Sequence, residues 1–457
     1  MDLLTQLNIL REYHHEGTTK SISFRIKQLL KLKAVLLKYE KQIYEALYED
    51  LKKSPEEVWV TEIGLLLTEI NHVIKNIRNW ASPQKVKTNF LNFPSSSFIM
   101  SEPLGVVLII SPWNYPLLLL MKPLIGAIAA GNCVVLKSSE FAPATSRLMK
   151  KMIEEIFDNN YILFIEGEGS IVVPEMMTQF SFDHVFFTGS PIVGKLIYQM
   201  AADRLVPVTL ELGGKSPCVI EADADVKVAA KRIAVTKFSN AGQMCVAPDY
   251  ILIHESVKEE FVRLLKKYLI QFFTAHPEKI TEYGKIINEK QFDRIVQYLN
   301  DGKIIYGGRS DRKSLFIEPT LMNEVDINSA IMNEEIFGPI LPILSFENQN
   351  DAIKVIERHK NPLAFYVFTS SKQKEKKWLE GIAFGGGCVN NTCWHLTNPH
   401  LPFGGRGLSG IGNYHGKNSF DTFSHKKSIL KTPTWFDPSF KYPPFSGKLN
   451  LLKKLIR

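Results

Sequence analysis

Cysteine is scarce in this 457-residue sequence and is not arranged in metal-binding or disulfide-like pairs. The cysteines are five, an odd number, with no Cys-x-x-Cys among them: Cys133, Cys218, Cys245, Cys388 and Cys393. This pattern gives no sign of a disulfide framework or of a zinc site. It favours a reducing compartment, and we therefore expect a cytoplasmic protein without a bound metal.

The sequence also lacks an uninterrupted apolar run of membrane-spanning length. Residues 104–136 form the longest apolar region, but prolines, an asparagine and a lysine interrupt it. The remaining pieces are far shorter than the roughly 20 residues that a helix needs to cross a bilayer. An acidic residue at position 2, and the absence of a basic stretch before an apolar run, also predict that the chain carries no signal peptide.

Long runs of one charge are absent except at the end of the chain. The net charge is +8, yet most basic residues are interspersed with acids and accompany no nucleic-acid motif, so no nucleic-acid partner is expected. Residues 441–457 are the exception, with four lysines, one arginine and no acid. This amphipathic tail suits peripheral contact with an anionic membrane surface, and packing on a dimer partner explains it equally well.

The length predicts two or three domains, and one stretch is typical of a parallel α/β sheet. Residues 105–110 and 133–136 are buried-strand patterns, joined by a turn and a helix over 117–130. Ligands of such sheets bind at the carboxyl ends of the strands. Lys137 and Glu140 follow the second strand, where they either contact a ribose or phosphate or are simply solvated loop charges.

A third strand-like segment, residues 184–187, runs into a glycine turn. Ser190 is a candidate N-cap and Pro191 a first helical residue. A strand, a glycine turn and a helix N-terminus together form an anion site suited to a pyrophosphate. The Gly189 to Gly194 spacing, Gly-x-x-x-x-Gly, differs from the Rossmann Gly-x-Gly-x-x-Gly pattern.

Two residues are ambiguous when each is considered alone. Glu211 lies near the end of the strand-like segment 206–212, where an exposed carboxylate is the simpler interpretation. Cys245 lies between a turn-prone Asn-Ala-Gly and the strand-like segment 250–254. That setting presents a nucleophile, but it also suits a buried, inert thiol.

Seven motifs together resemble those of the aldehyde dehydrogenase superfamily, in its order and spacing, over residues 20–430. They are Pro112-Trp-Asn-Tyr-Pro116, Lys137-Ser-Ser-Glu140, Phe187-Thr-Gly-Ser190 with Gly194, Glu211-Leu-Gly-Gly-Lys-Ser-Pro217, Gly242-Gln-Met-Cys245, Glu335-Ile-Phe-Gly-Pro339 and Pro402-Phe-Gly-Gly405. Further segments resemble the class 3 branch, which acts on medium-chain, long-chain or aromatic aldehydes: Val246-Ala-Pro-Asp-Tyr250, Tyr414-His-Gly-Lys417 and Phe420-Asp-Thr-Phe-Ser-His425.

The resemblance implies a catalytic role for three residues. Cys245 would attack the aldehyde carbon, and the Asn114 amide with the Cys245 main-chain N–H would bind the resulting oxyanion. After hydride transfer a thioester would remain on Cys245. Glu211 would act as the general base that activates the thiol and then the hydrolytic water.

The resemblance also implies the cofactor contacts. Lys137 and Glu140 would bind the adenosine ribose, and Gly189, Ser190 and the helix containing Gly194 the pyrophosphate. Glu335 would bind the nicotinamide ribose, and Phe337 would pack beside the ring. Because an acid at the adenosine ribose favours a free 2′-hydroxyl, NAD is expected, with NADP also compatible.

The implied fold is α/β, with two open parallel sheets and a small β bridging element. Residues 1–81 and 102–209 would form the NAD(P)-binding domain, and 210–400 the catalytic domain. Residues 82–101 and 417–435 would bridge a homodimer; we expect a hairpin near 90–100 and an alternating strand over 419–425.

Departures from the family pattern concern the substrate pocket, which we assign to Tyr115, Trp394 and Phe403. Ser138 replaces the usual proline, and Arg406 replaces a small apolar residue. Aldehyde oxidation has two alternatives. An acyl-transferring or reductive relative would not need Glu211, and a non-catalytic binding protein would not need Asn114, Glu211 and Cys245 together.

Overall fold

The computed structural model describes residues 2–455, which contain helices throughout the chain. The helices are α1 (Leu3–His15), α2 (Ile22–Lys38), α3 (Glu40–Leu51), α4 (Pro55–Val58), α5 (Gly64–Ala81), α6 (Pro116–Ala130), α7 (Pro143–Ile156), α8 (Gly169–Gln179), α9 (Pro191–Ala202), α10 (Val226–Phe238), α11 (Glu255–Phe273), α12 (Glu289–Gln297), α13 (Ala330–Asn333), α14 (Gln349–Glu357), α15 (Lys372–Gly381), α16 (Lys417–Thr422) and α17 (Leu449–Leu455).

The strands alternate with these helices over most of the chain. They are β1 (Gln84–Val86), β2 (Ser96–Pro103), β3 (Val106–Ile110), β4 (Cys133–Lys137), β5 (Ile162–Ile165), β6 (His184–Thr188), β7 (Val208–Glu211), β8 (Pro217–Ile220), β9 (Tyr250–His254), β10 (Lys303–Tyr306), β11 (Ser310–Asp311), β12 (Phe316–Ile317), β13 (Thr320–Asn323), β14 (Ile340–Phe346), β15 (Ala364–Phe368), β16 (Gly386–Val389), β17 (Gly410–Ile411) and β18 (Ser424–Lys431).

The first large sheet has the strand order β17-β7-β6-β3-β4-β5, and all of its strands are parallel except β17. Strands β3, β4 and β6 are buried along their whole length, as expected for strands covered by helices on both faces. The carboxyl ends of β4, β6 and β7 hold Lys137, Thr188 and Glu211. Three of the predicted motifs therefore meet at one edge of this sheet.

The second large sheet has the order β10-β13-β14-β9-β8-β15-β16, parallel except for the edge strand β10. Cys245 lies five residues before β9, a central strand of this sheet. The two sheets confirm the predicted α/β architecture.

A third sheet has the antiparallel order β1-β2-β18. The predicted hairpin is present, but its first strand is Gln84–Val86, and residues 90–92 form a 3-10 turn in the connection. Strand β2 pairs with β18 along eight residues, from Ser96 with Lys431 to Pro103 with Ser424.

The strand predicted over residues 419–425 was wrong. Residues 417–422 are helix α16, and the strand begins at Ser424. Ser419, Phe420 and Phe423 are buried, a spacing that suits one helical face rather than one face of a strand. Helix α16 packs closely on α6: a Cβ built on Gly126 would lie 2.6 Å from the Cβ of Ser419.

The long apolar region around residues 104–136 is divided between β3, α6 and β4, as its interruptions predict. Among residues 2–455, no helix has both the length and the apolar character needed to cross a membrane.

Candidate active site

Cys245 lies at the end of a turn with an unusual backbone. Asn240, Ala241 and Gly242 have φ values of 50°, 50° and 74°, in the left-handed region that residues with a Cβ rarely adopt. At Gly242 a Cβ would come within 2.3 Å of the Gly338 carbonyl oxygen, so the close approach requires glycine. The turn thereby brings the Cys245 segment against the loop that carries Glu335 and Phe337.

The thiol of Cys245 lies among acidic groups. Burial raises the pKa of the Cys245 thiol, and the carboxylates of Glu335 and Glu211 raise it further because a thiolate would repel them. The main-chain N–H groups of Cys245 and Val246 oppose this by hydrogen bonding to the sulfur. The resting thiol is therefore protonated and needs a base to take its proton when it reacts.

Asn114 is buried beside this turn, one residue before the N-cap of α6. Its Nδ2 donates to the Gln243 carbonyl oxygen at 3.1 Å, which uses one of the two amide hydrogens. Its main-chain oxygen accepts hydrogen bonds from Lys53 Nζ at 3.0 Å and from Asn240 Nδ2 at 2.8 Å. The amide is thus held firmly and retains one N–H for a ligand.

Glu211 is the last residue of β7 and is buried, unlike the exposed carboxylate expected from the strand pattern alone. Neither carboxylate oxygen has a hydrogen-bond partner within residues 2–455. Burial raises the pKa of Glu211 well above its usual value. A buried, unpaired carboxyl group is costly to fold and is characteristic of a group that exchanges protons in a reaction.

The glycine-dense loop that follows Phe403 approaches the strand carrying Glu211. Gly410 pairs with Glu211 across the β17–β7 ladder, and a Cβ on Gly410 would lie 2.4 Å from the Leu210 carbonyl oxygen. These glycines therefore allow the backbone of the loop to lie close against β7 of the same chain.

Lys137 and Glu140 lie together at the carboxyl end of β4. Lys137 is buried, and its Nζ donates to Glu140 Oε2 at 3.2 Å. Glu140 Oε1 accepts the Gly169 N–H, at the first residue of α8, at 3.1 Å. These contacts orient the exposed Glu140 carboxylate, and the burial of Lys137 argues against a solvated charge at that position.

The glycine turn after β6 leads into α9, with Ser190 as N-cap and Pro191 as first helical residue, as predicted. Ser190 Oγ accepts the Val193 N–H at 3.4 Å. A Cβ on Gly189 would lie 2.5 Å from the Phe187 ring, and one on Gly194 would lie 2.5 Å from the Leu212 side chain. The helix therefore starts close to the strand end, and its N-terminus can bind an anion.

The loop carrying Glu335 is fixed from two sides. Lys215, ion-paired with the buried Asp249, donates to the Glu334 carbonyl oxygen at 2.9 Å, and Asp249 Oδ1 accepts the Ile336 N–H at 3.1 Å. From the other side, Arg294 donates to the carbonyl oxygens of Glu335 and Ile336.

The Glu335 side chain is directed towards the catalytic turn. Burial raises the pKa of Glu335 to about 8, and Asp249 contributes by repulsion. Phe337, with φ 48°, packs edge to face on Trp113 at 5.3 Å between ring centroids. This contact joins the Glu335 loop to the loop that carries Asn114.

The three predicted substrate-pocket residues have different surroundings. Tyr115 is buried, and burial together with the nearby Glu57 carboxylate raises its pKa well above the usual value; Cys393 and Cys245 contribute in the same direction, so its hydroxyl lies near both thiols. Phe403 is buried between the rings of His395 and His415, at 5.9 and 5.0 Å. Trp394 is 54% exposed and lies at the surface.

The two departures from the family pattern also have structural explanations. The Ser138 hydroxyl is 2.6 Å from the Ser146 hydroxyl on α7, so the serine ties the strand end to a helix. Arg406 is exposed, and its main-chain N–H donates to Ser409 Oγ within the glycine loop.

Several residues of the site were not predicted from the sequence. Lys53, Glu62, Asn240, Gln243 and Asp249 hold the catalytic loops in place. Asn240, Gln243 and Asp249 lie within the stretch around Cys245, and that proximity was the available signal. Lys53 and Glu62 lie in a charged helical region and have no comparable signal.

No group of three or more His, Cys, Asp or Glu side chains in the described part of the chain is arranged to hold a metal ion. The donors at the sheet edge suit a dinucleotide: a helix N-terminus, an oriented carboxylate at Glu140 and a second one at Glu335.

Comparison with known proteins supports this assignment. The profile of the aldehyde dehydrogenase family matches residues 11–429. The chain is 47% identical to 4,4'-diaponeurosporen-aldehyde dehydrogenase of Staphylococcus aureus, over 98% of this chain and 97% of that one. It is 41% identical to the dimeric NADP-preferring aldehyde dehydrogenase of Rattus norvegicus, over 96% and 97% respectively.

Solved structures agree. A substrate-bound state of Staphylococcus aureus AldH matches with a TM-score of 0.98 and 45% identity, covering 100% of both chains. An indole-3-acetaldehyde dehydrogenase complexed with NAD+ matches with a TM-score of 0.86 and 25% identity, over 94% of this chain and 88% of that one. The predicted family, fold and cofactor class are confirmed: this chain belongs to the aldehyde dehydrogenase family, whose members oxidise aldehydes with NAD(P).

Proposed function

We propose that this enzyme converts a medium-chain, long-chain or aromatic aldehyde into its carboxylic acid through a thiohemiacetal and a thioester on Cys245. The observation that supports it best is the meeting of Cys245, Asn114 and Glu211 at one buried point. The Glu211 carboxylate is close enough to raise the pKa of the Cys245 thiol, and Asn114 is hydrogen-bonded to the Cys245 turn.

In the acylation step, the ionised form of Glu211 accepts the proton of the Cys245 thiol as the sulfur attacks the aldehyde carbon; because burial raises the pKa of Glu211, this form is the minor one in the resting enzyme. The carbonyl oxygen becomes an oxyanion, which the free N–H of the Asn114 amide and the Cys245 main-chain N–H stabilise. Losing one such donor typically costs about 10²–10³ in rate. Collapse of the oxyanion expels a hydride and leaves the thioester.

Before deacylation, Glu211 releases to solvent the proton that it took from Cys245. It then takes a proton from water, which attacks the thioester carbon. The carbon–sulfur bond breaks, the acid leaves, and Glu211 returns its proton to the sulfur. The lack of hydrogen-bond partners on Glu211, within the described residues, keeps both of its oxygens available for these transfers. A relative that passed the acyl group to another thiol would not need this base.

NAD(P) supplies the hydride acceptor when bound. Gly189, Ser190 and the N-terminus of α9, which contains Gly194, would hold its pyrophosphate. Lys137 and Glu140 would hold the adenosine ribose, and Glu335 with Phe337 the nicotinamide end. The oriented carboxylate of Glu140 favours NAD because it would repel a 2′-phosphate.

The substrate class rests on apolar surroundings and on a relative. Tyr115 and Phe403 offer buried aromatic surface, and Trp394 offers exposed surface for the outer part of a long substrate. The Staphylococcus aureus relative is named for 4,4'-diaponeurosporen-aldehyde. We extend this chemistry, a large apolar aldehyde, to the present enzyme.

We further propose a cytoplasmic homodimer. Among the described residues, β18 is an edge strand that pairs with β2 on one side, and its other side is open to a second chain. The rat relative is named as dimeric.

The basic tail, residues 441–457, contains helix α17, and its last two residues lie outside the described part. Exposed Phe445 and Leu449 with Lys453 and Lys454 suit peripheral contact with an anionic membrane.

The function is tested with a panel of short aliphatic, long-chain and aromatic aldehydes, each with NAD and with NADP. We expect the highest kcat/KM with long-chain or aromatic substrates, and none with Cys245→Ala, which should still bind cofactor. Turnover by Cys245→Ala would contradict the assignment of the nucleophile.

Deletion of residues 446–457 should weaken binding to anionic vesicles, and unchanged binding would favour packing on the partner subunit.

A further inference from the structure

A buried ion pair lies directly behind the Asn114 loop. Lys53 and Glu62 are fully buried, and Lys53 Nζ is 2.8 Å from Glu62 Oε1. Burying two charges costs several kcal/mol per ion before their attraction repays it. An apolar pair would fill the same space at lower cost, so this pair needs an explanation beyond stability.

The ammonium of Lys53 has three partners in three directions. It donates to Glu62 at 2.8 Å and to the main-chain oxygen of Asn114 at 3.0 Å, and it lies 3.8 Å from the centroid of the Tyr115 ring. A lysine ammonium has three hydrogens, and these contacts account for all of them. Lys53 therefore contacts the backbone of Asn114 and the ring of Tyr115 together.

Glu62 fixes the next residues of the same segment. Its Oε2 accepts the main-chain N–H groups of Leu117 and Leu118, at 3.0 and 3.1 Å. These are first-turn donors of α6 that need outside partners, and the N-cap residue Tyr115 provides no side-chain hydrogen bond. Glu62 belongs to a π-helical turn, residues 59–63, of the kind often found at functional sites.

We propose that the Lys53–Glu62 pair positions the Asn114 amide for oxyanion binding. The pair holds the segment at Asn114 and the residues that follow it, while Gln243 orients the amide itself. Lys53 and Glu62 touch no reacting atom, so they are positioning residues. The inference rests on the oxyanion role proposed for Asn114.

The test is a double-mutant cycle on the NADH burst rate, which reports acylation and hydride transfer. Lys53→Met with Glu62→Gln replaces the pair without leaving an unpaired charge. Because an error of about 1 Å in a catalytic group can cost 10²-fold, we expect the burst to slow by about 10-fold or more, with cofactor Kd unchanged. In an Asn114→Ala background the same replacement should slow the burst no further.

Lys374→Met with Glu221→Gln is the matched control. In this pair Lys374 Nζ lies 3.0 Å from a buried carboxylate, Glu221, much as in the Lys53–Glu62 pair. The control pair lies at the opposite end of β8 from the Cys245 turn. It should leave the burst unchanged. If the double replacement does not fold, Glu62→Gln alone enters the same cycle, with a smaller slowing expected.

An unchanged burst rate after replacement of Lys53 and Glu62 would overturn the positioning role, and so would equal slowing in the wild-type and Asn114→Ala backgrounds. Either result would leave the proposed function intact. A full-speed burst in Asn114→Ala would overturn the oxyanion assignment and this inference with it. The two failures are therefore separable by the Asn114→Ala measurement alone.

Discussion

The carboxylate of Glu335 occupies the space directly over Gly213. A Cβ built on Gly213 would come within 1.9 Å of Glu335 Oε2, although the backbone conformation at Gly213 does not itself require glycine. The position of this carboxylate therefore depends on the absence of a side chain at the end of the Glu211 strand.

Gly213→Ala should displace the Glu335 carboxylate and weaken cofactor binding. Above the Glu335 pKa of about 8, where the group is ionised, we expect Kd for the cofactor to rise by about 10-fold, because lost hydrogen bonds to a charged group are typically worth ~1.5–3 kcal/mol. Fluorescence titration measures it. Gly381→Ala, where an added Cβ has no neighbour within 4 Å, is the matched control and should bind normally.

Cofactor binding should depend on pH through Glu335. Its pKa in the free enzyme is raised to about 8, mainly by burial, so the group is protonated at neutral pH. The ionised form accepts hydrogen bonds from ribose hydroxyls better, and binding should tighten as pH rises through about 8. Glu335→Gln should flatten this dependence in a titration from pH 6.5 to 9.5; an unchanged profile would point to another titrating group.

Glu211→Gln should stabilise the fold while slowing the enzyme. The folded pKa of Glu211 is raised by burial, so the folded state retains a proton that the unfolded state loses above its own pKa. Glu211 therefore costs stability as pH rises from that unfolded value towards the folded pKa. Within this window the amide removes the cost, and thermal unfolding at pH 7 should occur at a higher temperature than in the wild type.

The stabilisation by Glu211→Gln should shrink at pH 4, where the carboxyl group is largely protonated in both states. Melting curves at the two pH values separate this effect from a packing change. An equal rise in melting temperature at both pH values would mean that the ionisation of Glu211 is not the cause of the stabilisation.

Gly126→Ala should destabilise the contact between α6 and α16. The added methyl group would lie 2.6 Å from the Cβ of Ser419 and 3.3 Å from the Phe423 ring. Overpacking of this kind costs typically 1–3 kcal/mol, more than the small gain in helix propensity. Denaturant unfolding measures it, and a stability equal to the wild type would show that α16 can shift without cost.

The N-cap Ser190 and the first helical residue Pro191 were predicted from a local signal, and the structure confirms both. Asn114, Glu211 and Cys245 were assigned through motifs that resemble those of the family, and their catalytic roles stay predictions. The alternating pattern at residues 419–425 predicted a strand, and that prediction was wrong. The segment is helical because it is buried against α6, which is distant in the sequence.

The burial of Lys53 and of Glu211 could not be predicted from the sequence. Lys53 is followed by Ser-Pro and preceded by another lysine, which is typical of an exposed helix end. Its complete burial arises only when the loop that carries Asn114, 61 residues later, packs across it. The burial of Glu211 likewise depends on β17, which pairs with β7 from 200 residues further along the chain.

The central claim is that Cys245 carries a thioester that Glu211 helps to hydrolyse. Intact-mass and peptide analysis of Glu211→Gln, mixed with a long-chain aldehyde and NAD, tests it most directly. We predict an adduct on Cys245 with the mass of the aldehyde less two hydrogens, absent without NAD. The absence of this adduct despite NADH formation, or its presence on a different cysteine, would contradict the account.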